Sequence, residues 1–208
     1  MNRRTAQGPL ERDDCKLLDD AWCRAPKDGY PFNAFITIRP PNNLTPIEYV
    51  QVVNKFWNRL GVWSRRHTPQ ETFHCILVRE AAPNGKNFGI GEHFHAVVHV
   101  PPGHFNSLKT AVESWHPEPG EAVVRRADHS IRRSPQGKIR SILGYLTKQR
   151  SPRAWYLTNY TRQRGGKVLG KRYRISESLR AKPMGVRQRH QGWSQQGHCK
   201  GADLQNKR

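Results

Sequence analysis

Apolar positions along this chain recur at two periods, 2 and about 3.6, and the switches between them mark out the elements. Phe32-Asn33-Ala34-Phe35-Ile36-Thr37-Ile38-Arg39 alternates as a half-buried strand and is closed by Pro40-Pro41. Thr45-Pro46-Ile47-Glu48 then forms a capping box with proline at the first helical position. Behind it Ile47, Val50, Val53, Phe56, Trp57 and Leu60 keep helical spacing, and Gly61 is the expected C-cap. Phe73 to Glu80 and His93 to Val100 read as the next two strands, the second ended by Pro101-Pro102-Gly103. Leu108, Val112 and Trp115 share one face of a helix expected from Phe105 to Trp115, and Glu121 to Ala127 reads as a fourth strand. A further helix is expected from Ser134-Pro135 through Ile139, Ile142, Leu143 and Leu146 to Gln149.

The resulting order, β-α-β-β-α-β and then a helix, is the split βαβ, ferredoxin-like arrangement. The expectation is an α+β fold whose central antiparallel sheet carries helices on one face and leaves the other free for a site. Residues 1–30 read as a polar, loosely attached N-terminal arm with a short helix around Glu11 to Trp22. After Arg150 the periodicity dissolves into Gly, Arg, Lys and Gln; one short element is expected around Tyr173 to Leu179, and disorder from about Lys182. The chain thus divides into an arm (1–30), a folded domain (31–150) and a basic, partly disordered extension (151–208).

Charge sharpens that division. The 208 residues carry a formal net charge of +20 at a mean hydropathy of -0.85. Residues 1–124 hold 14 Lys/Arg against 13 Asp/Glu, whereas residues 125–208 hold 22 against 3. A nearly neutral first part followed by a strongly basic one points to a polyanion partner. The alternatives are a merely solvated tail or acidic lipid. Trp155, Tyr156, Tyr160, Tyr173 and Trp193 interleave with the basic residues and favour nucleic acid, whose bases stack on aromatic rings. Cys15, Cys23, Cys75 and Cys199 form no CxxC pair, and Cys75 falls inside a strand as a buried free thiol; zinc held by Cys15 and Cys23, or by His198 and Cys199, is the weaker reading. The N-terminus lacks an apolar leader and no stretch approaches a membrane span, so a cytoplasmic protein without membrane contact is expected.

The candidate chemistry centres on His93-Phe94-His95. Side chains alternate faces along a strand, so the two imidazoles point the same way and can share a divalent ion. His99 lies on the same face but roughly 13 Å on, too far to join them. An isolated His-x-His more often has no metal. Glu80, ending the neighbouring strand, supplies a carboxylate that completes a two-histidine, one-carboxylate set; Glu92 alternates to the opposite face. Tyr145 and Lys148 stand one helical turn apart, which would set a hydroxyl beside an ammonium group, although a Tyr-x-x-Lys pattern is permissive and a core tyrosine is the bland alternative. Gly165-x4-Gly170-Lys171 imitates a phosphate-binding loop, but Arg172 replaces the Ser/Thr and no buried strand precedes it. A cupin oxygenase would need a glutamate soon after the second histidine, where the chain reads Ala96-Val97-Val98-His99-Val100.

Taken in order, these motifs resemble a single-tyrosine HUH endonuclease of the rolling-circle replication initiator type. His93-Phe94-His95 matches the His-hydrophobe-His motif, Tyr145-Leu146-Thr147-Lys148 the Tyr-x-x-Lys motif, and Phe35-Ile36-Thr37-Ile38 stands in the place of the first, structural motif. The tyrosine follows the histidines, as in initiators and transposases rather than conjugative relaxases, and Gln149 stands where two-tyrosine initiators have their second tyrosine. The resemblance implies that His93, His95 and Glu80 hold Mg²⁺ or Mn²⁺ on the scissile phosphate of single-stranded DNA. Tyr145 would attack to give a 5′-phosphotyrosine and a free 3′-OH, with Lys148 lowering the phenol's pKa and steadying the phosphate. Arg125, Arg126, Arg132, Arg133, Arg150, Arg153, Lys171 and Arg172 are the cations expected to grip the strand. The implied partners are a single-stranded origin, with a hairpin, and a host helicase and polymerase in a bacterial cytoplasm. A non-catalytic basic DNA- or RNA-binding protein and a transposase of a mobile element are the competing readings.

Overall fold

The computed structural model describes residues 6–68, 72–83, 91–115, 120–128, 132–133, 139–157 and 162–180. It is an α+β structure built on a five-stranded antiparallel sheet. In chain order the elements are β1 (Ala6–Gln7), α1 (Arg12–Lys27), β2 (Ala34–Arg39), α2 (Pro46–His67), β3 (Cys75–Glu80), β4 (His93–Val98), α3 (Phe105–Trp115), β5 (Glu121–Arg126), β6 (Arg132–Arg133), β7 (Ile139–Arg140), α4 (Ile142–Leu146), β8 (Val168–Leu169) and β9 (Tyr173–Ile175). The main sheet runs β5-β2-β4-β3-β9, and β1-β8 and β6-β7 are two short separate pairs. The expected β-α-β-β-α-β order is present, with β9 added along the outer edge of β3.

The capping box of α2 is formed: the Glu48 amide donates to Thr45 Oγ1 at 3.3 Å and the Thr45 amide to Glu48 Oε2 at 2.8 Å. The helix does not stop at Gly61. It runs on to His67, because Trp63 and Ser64 extend its buried face. Gly61 sits inside the helix over the Phe73 ring, where a Cβ would make ordinary contact at 3.5 Å. Ile36, Leu77, Phe94, Ala96 and Val98 pack beneath Val53, Phe56 and Leu60 of α2 and Leu108 and Val112 of α3.

The second sheet face is not left free. Ile76, Val78 and Val97 are covered by Leu18, Ala21, Trp22 and Ala25 of α1 and by Leu143 and Leu146 of α4. Residues 12–27 therefore form a docked helix, not a loose arm. The helix expected around Glu11 to Trp22 is present and runs on to Lys27, and its buried stripe is Cys15, Leu18, Ala21, Trp22 and Ala25.

The third expected helix is much shorter than its apolar spacing implies. Ile139–Arg140 is strand β7, and Ser141 caps α4 by accepting from the Gly144 amide at 2.9 Å. The Ser134-Pro135 start lies outside the described residues. The boundary at residue 150 also moves. β9 pairs Ile76 with Ile175 and Val78 with Tyr173, and a 3₁₀ turn at Glu177–Leu179 follows, so the element expected around Tyr173 to Leu179 belongs to the main fold. Residues 181–208, where disorder is expected, lie outside the described residues. Cys75 is a buried free thiol. No helix among the described residues is long and apolar enough to cross a membrane.

Candidate metal centre

β3 and β4 are registered so that Glu80 lies directly across from His93, and Val78 across from His95. Directly opposed side chains share a face, so the last carboxylate of β3 arrives beside both imidazoles. Ligand atoms of Glu80, His93 and His95 all lie within 4.8 Å of one another, the one such grouping among the described residues. Glu80 Oε2 is 3.2 Å from His93 Nε2 and 2.8 Å from Lys148 Nζ, while Glu80 Oε1 is 3.6 Å from His95 Nε2. Glu80 and His95 are buried; His93 keeps 23% of its side-chain exposure and forms the open side of the cluster.

The ring orientations suit a metal ligand set. His93 Nδ1 lies 3.2 Å from the Gly91 carbonyl, which only accepts, so this nitrogen carries a hydrogen and Nε2 faces Glu80. His95 Nδ1 meets Thr37 Oγ1 at 2.9 Å, and Phe35 stacks on the same ring at 5.2 Å between centroids. Nδ1–H donating to the Thr37 hydroxyl leaves the Nε2 lone pair toward the carboxylate. Burial holds the pKa of His95 down to about 3 against the pull of Glu80, so the ring is neutral at neutral pH. Burial raises the Glu80 carboxyl, but its charged and polar surroundings, the bonded Lys148 ammonium among them, outweigh burial and keep it below its ordinary range.

Glu80 Oε1 and His95 Nε2 have no hydrogen-bond partner in this buried gap. Two electron-pair donors facing one another away from water is a costly arrangement that a cation between them relieves. Two imidazole nitrogens and one carboxylate oxygen are a mixed N/O set that divalent ions accept. The residues therefore fit a divalent metal.

Tyr145 and Lys148 reach the same place from α4. Tyr145 is half-buried, its ring 5.0 Å from that of His95 and 5.9 Å from that of Phe35. The helix ends at Leu146, and the Lys148 amide donates to the Tyr145 carbonyl at 3.2 Å in a tightened last turn. Lys148 Nζ lies 3.4 Å from the centroid of the Tyr145 ring and is bonded to Glu80. The ammonium thus covers the ring face and partners the carboxylate, whereas helical spacing alone sets it beside the hydroxyl.

The expected strand-gripping cations fall into different settings. Arg125 is exposed on β5 opposite Phe35, and hence on the face that carries His95. Arg126 is exposed on the other face, over the Phe105 ring at 4.5 Å. Arg153 and Lys171 are exposed. Arg150 and Arg172 are buried and serve the fold: Arg150 Nη1 donates to the Thr147 carbonyl at 3.3 Å, and Arg172 bonds to the Gly8, Arg79 and Gly166 carbonyls. They are withdrawn from the surface set. Arg132 and Arg133 form β6, but their side chains lie outside the description, as do those of Trp155 and Tyr156; Tyr160 and Trp193 lie outside it altogether.

Glu92 turns to the opposite side of β4, as alternation requires, and pairs with the buried Arg79 guanidinium. His99 sits apart, with Nδ1 2.8 Å from the Pro31 carbonyl. Thr37 and Phe35 join the site from the strand read as the first, structural motif, a reading that assigns them no contact with the metal ligand set. A polar Thr37 between Ile36 and Ile38 is the only trace of the inward hydroxyl. Arg162, Arg164 and Lys167 are further additions: they are exposed on a segment tied to the site by the Gln163 amide, which donates to the Lys148 carbonyl at 2.7 Å.

No family model, curated protein or solved structure matches this chain.

Proposed function

We propose that this protein is a metal-dependent nickase-ligase of the single-tyrosine HUH type that initiates rolling-circle replication on single-stranded DNA. The observation that carries the reading is the packing of Tyr145 against His95, within a cluster whose Glu80 also holds Lys148. A metal centre alone is common to many activities; a half-buried tyrosine laid against one of the candidate ligands supports nucleophilic attack beside a bound ion.

His93, His95 and Glu80 would hold Mn²⁺ or Mg²⁺. A metal held there would supply charge neutralisation at a phosphate oxygen. Tyr145 Oη forms the new bond to phosphorus as the bond to the 3′ oxygen breaks. The phenol loses its proton and the departing 3′ oxygen gains one. Thr37 and Phe35 keep the His95 ring from turning, and Lys148 holds the carboxylate in place while lying against the tyrosine ring. One phosphodiester is exchanged for another of similar energy, so the step runs backward as rejoining. Arg125 on the same face, with exposed Arg162, Arg164 and Lys167 on the segment tied to Lys148, supplies positive charge for flanking phosphates.

The test is denaturing electrophoresis of the protein with a labelled single-stranded oligonucleotide library, in Mn²⁺ or in EDTA. The expected result is a covalent band that requires metal, disappears in Tyr145→Phe with DNA binding retained, and disappears in His93→Ala and His95→Ala. An adduct surviving in Tyr145→Phe would move the nucleophile to Tyr156 or Tyr160. Binding without any adduct would leave a DNA-binding protein, and cleavage without an adduct a hydrolytic metallonuclease.

A further inference from the structure

The strand that delivers Glu80 runs out of ladder at that residue. Its register with β4 ends at Glu80–His93, and its register with β9 ends at Val78. The next residue, Ala81, is held by a side chain. Gln149 Oε1 accepts from the Ala81 amide at 3.2 Å and Gln149 Nε2 donates to the Ala81 carbonyl at 3.1 Å. A carboxamide here makes the paired N–H and C=O exchange that a neighbouring strand would otherwise make. Gln149 is itself 6% exposed and is seated from behind, where Arg172 Nη1 donates to its Oε1 at 3.1 Å.

The segment carrying Arg172 closes the arrangement. The Gly166 amide donates to the Ala81 carbonyl at 3.0 Å. A Cβ at Gly165 would come within 2.6 Å of Gln149 Oε1 and 2.9 Å of its Cβ, and one at Gly166 within 2.1 Å of the Ala82 carbonyl oxygen. Two adjacent glycines are what allow this segment to lie on Gln149 and Ala82. Gln149 also follows Lys148 directly, the cation on Glu80.

We propose that Gln149, seated by Arg172 and the Gly165-Gly166 segment, is a positioning residue that sets where the Glu80 carboxylate and the Lys148 ammonium stand, and thereby tunes cation affinity at the centre. This rests on the metal reading of Glu80, His93 and His95. Gln149 touches neither the ion nor the scissile group; it acts through the backbone of Ala81 and through its neighbour Lys148. The residue at the place of a second nucleophile in two-tyrosine enzymes has here become part of the wall that aims the carboxylate.

Mn²⁺ titration of the full chain, followed by electron paramagnetic resonance, tests this with wild type, His93→Ala, Gln149→Leu, Gly165→Ala and the double variant. Gln149→Leu removes both bonds to Ala81, and Gly165→Ala pushes on Gln149 from the opposite side. Each is expected to weaken Mn²⁺ about 10–100-fold, the cost typical of losing an outer partner of a metal ligand, and to alter the bound-ion spectrum. The double variant is expected to be no weaker than the worse single one, because both act through one contact. Should Gln149→Leu not fold, Gly165→Ala carries the comparison. Folded variants within about twofold of wild type, or fully additive losses, would overturn the proposal. Wild type and His93→Ala binding Mn²⁺ equally poorly would instead remove the metal reading, and this inference with it.

Discussion

His95 meets two requirements at once. To hold a metal it must stay neutral and donate an electron pair, and it is buried against Glu80, which pulls toward the protonated form. Burial wins, and its pKa falls to about 3 from an ordinary 6.5. Between those values the unfolded chain binds a proton there that the folded chain does not, so stability is full above the ordinary value and is lost as pH falls below it. In EDTA, urea unfolding should therefore show stability declining between about pH 6.5 and 3 by up to ~1.4 kcal/mol per unit from this residue. His95→Gln should flatten that slope without abolishing it, since burial also lowers His74 and stability lost through that ring has the same sign. A slope unchanged in His95→Gln would mean that the ring is not kept neutral by burial. The candidate metal ligands are legible in the amino-acid sequence, because His-x-His on a strand and a glutamate at the end of its neighbour need only alternation and register. Thr37 and Gln149 are not, since their roles depend on which strand lies beside β4 and which side chain replaces a missing one.

At the level of elements, the regular amphipathic pieces are readable and the composite ones are not. α2 announces itself through Thr45-Pro46-Ile47-Glu48 and a long apolar stripe; α1 is readable as a helix but not as a docked one, and α4 is short because Ile139 belongs to a strand pair. β9 leaves only a faint Tyr-Arg-Ile signature, yet it completes the sheet and brings Arg172, whose guanidinium contacts Gly8, Arg79, Gly166 and Gln149. Ending the chain at residue 150 would strip the edge of β3 and leave Gln149 and Ala81 without those partners. We expect residues 1–150 to lose a cooperative thermal transition and Mn²⁺ binding together. Residues 1–180 should keep both and lose only DNA affinity, because 181–208 carries six Lys/Arg against one Asp. Circular dichroism melts of the two truncations separate these outcomes, and a cooperative 1–150 would show the later segment to be dispensable.

Over the whole molecule, charge and chemistry are arranged by face. The sheet surface with His95 also presents Arg125, while Arg126, one residue on, lies against Phe105 on the α3 side. Alternation thus turns two adjacent, similarly exposed arginines into an internal control. Arg125→Ala should reduce the salt dependence of single-stranded DNA binding by about 0.7 in log–log slope, the share of one phosphate, and Arg126→Ala by much less. Equal effects would mean that the strand does not follow the His95 face. The excess of positive charge is visible in the distribution of Lys and Arg, but which cations are exposed is not: Arg150 and Arg172 count as charge in the sequence and as scaffold in the fold. That scaffold has a consequence in time. Synthesis delivers Glu80, His93, His95 and Tyr145 well before Arg172, so a nascent chain holds every residue of the candidate site while those that clamp it are still to be added. On the proposed function, the ability to cut and capture DNA would be acquired only once Arg172 has been added, and chains released at residue 150 should carry the whole motif set and cut nothing.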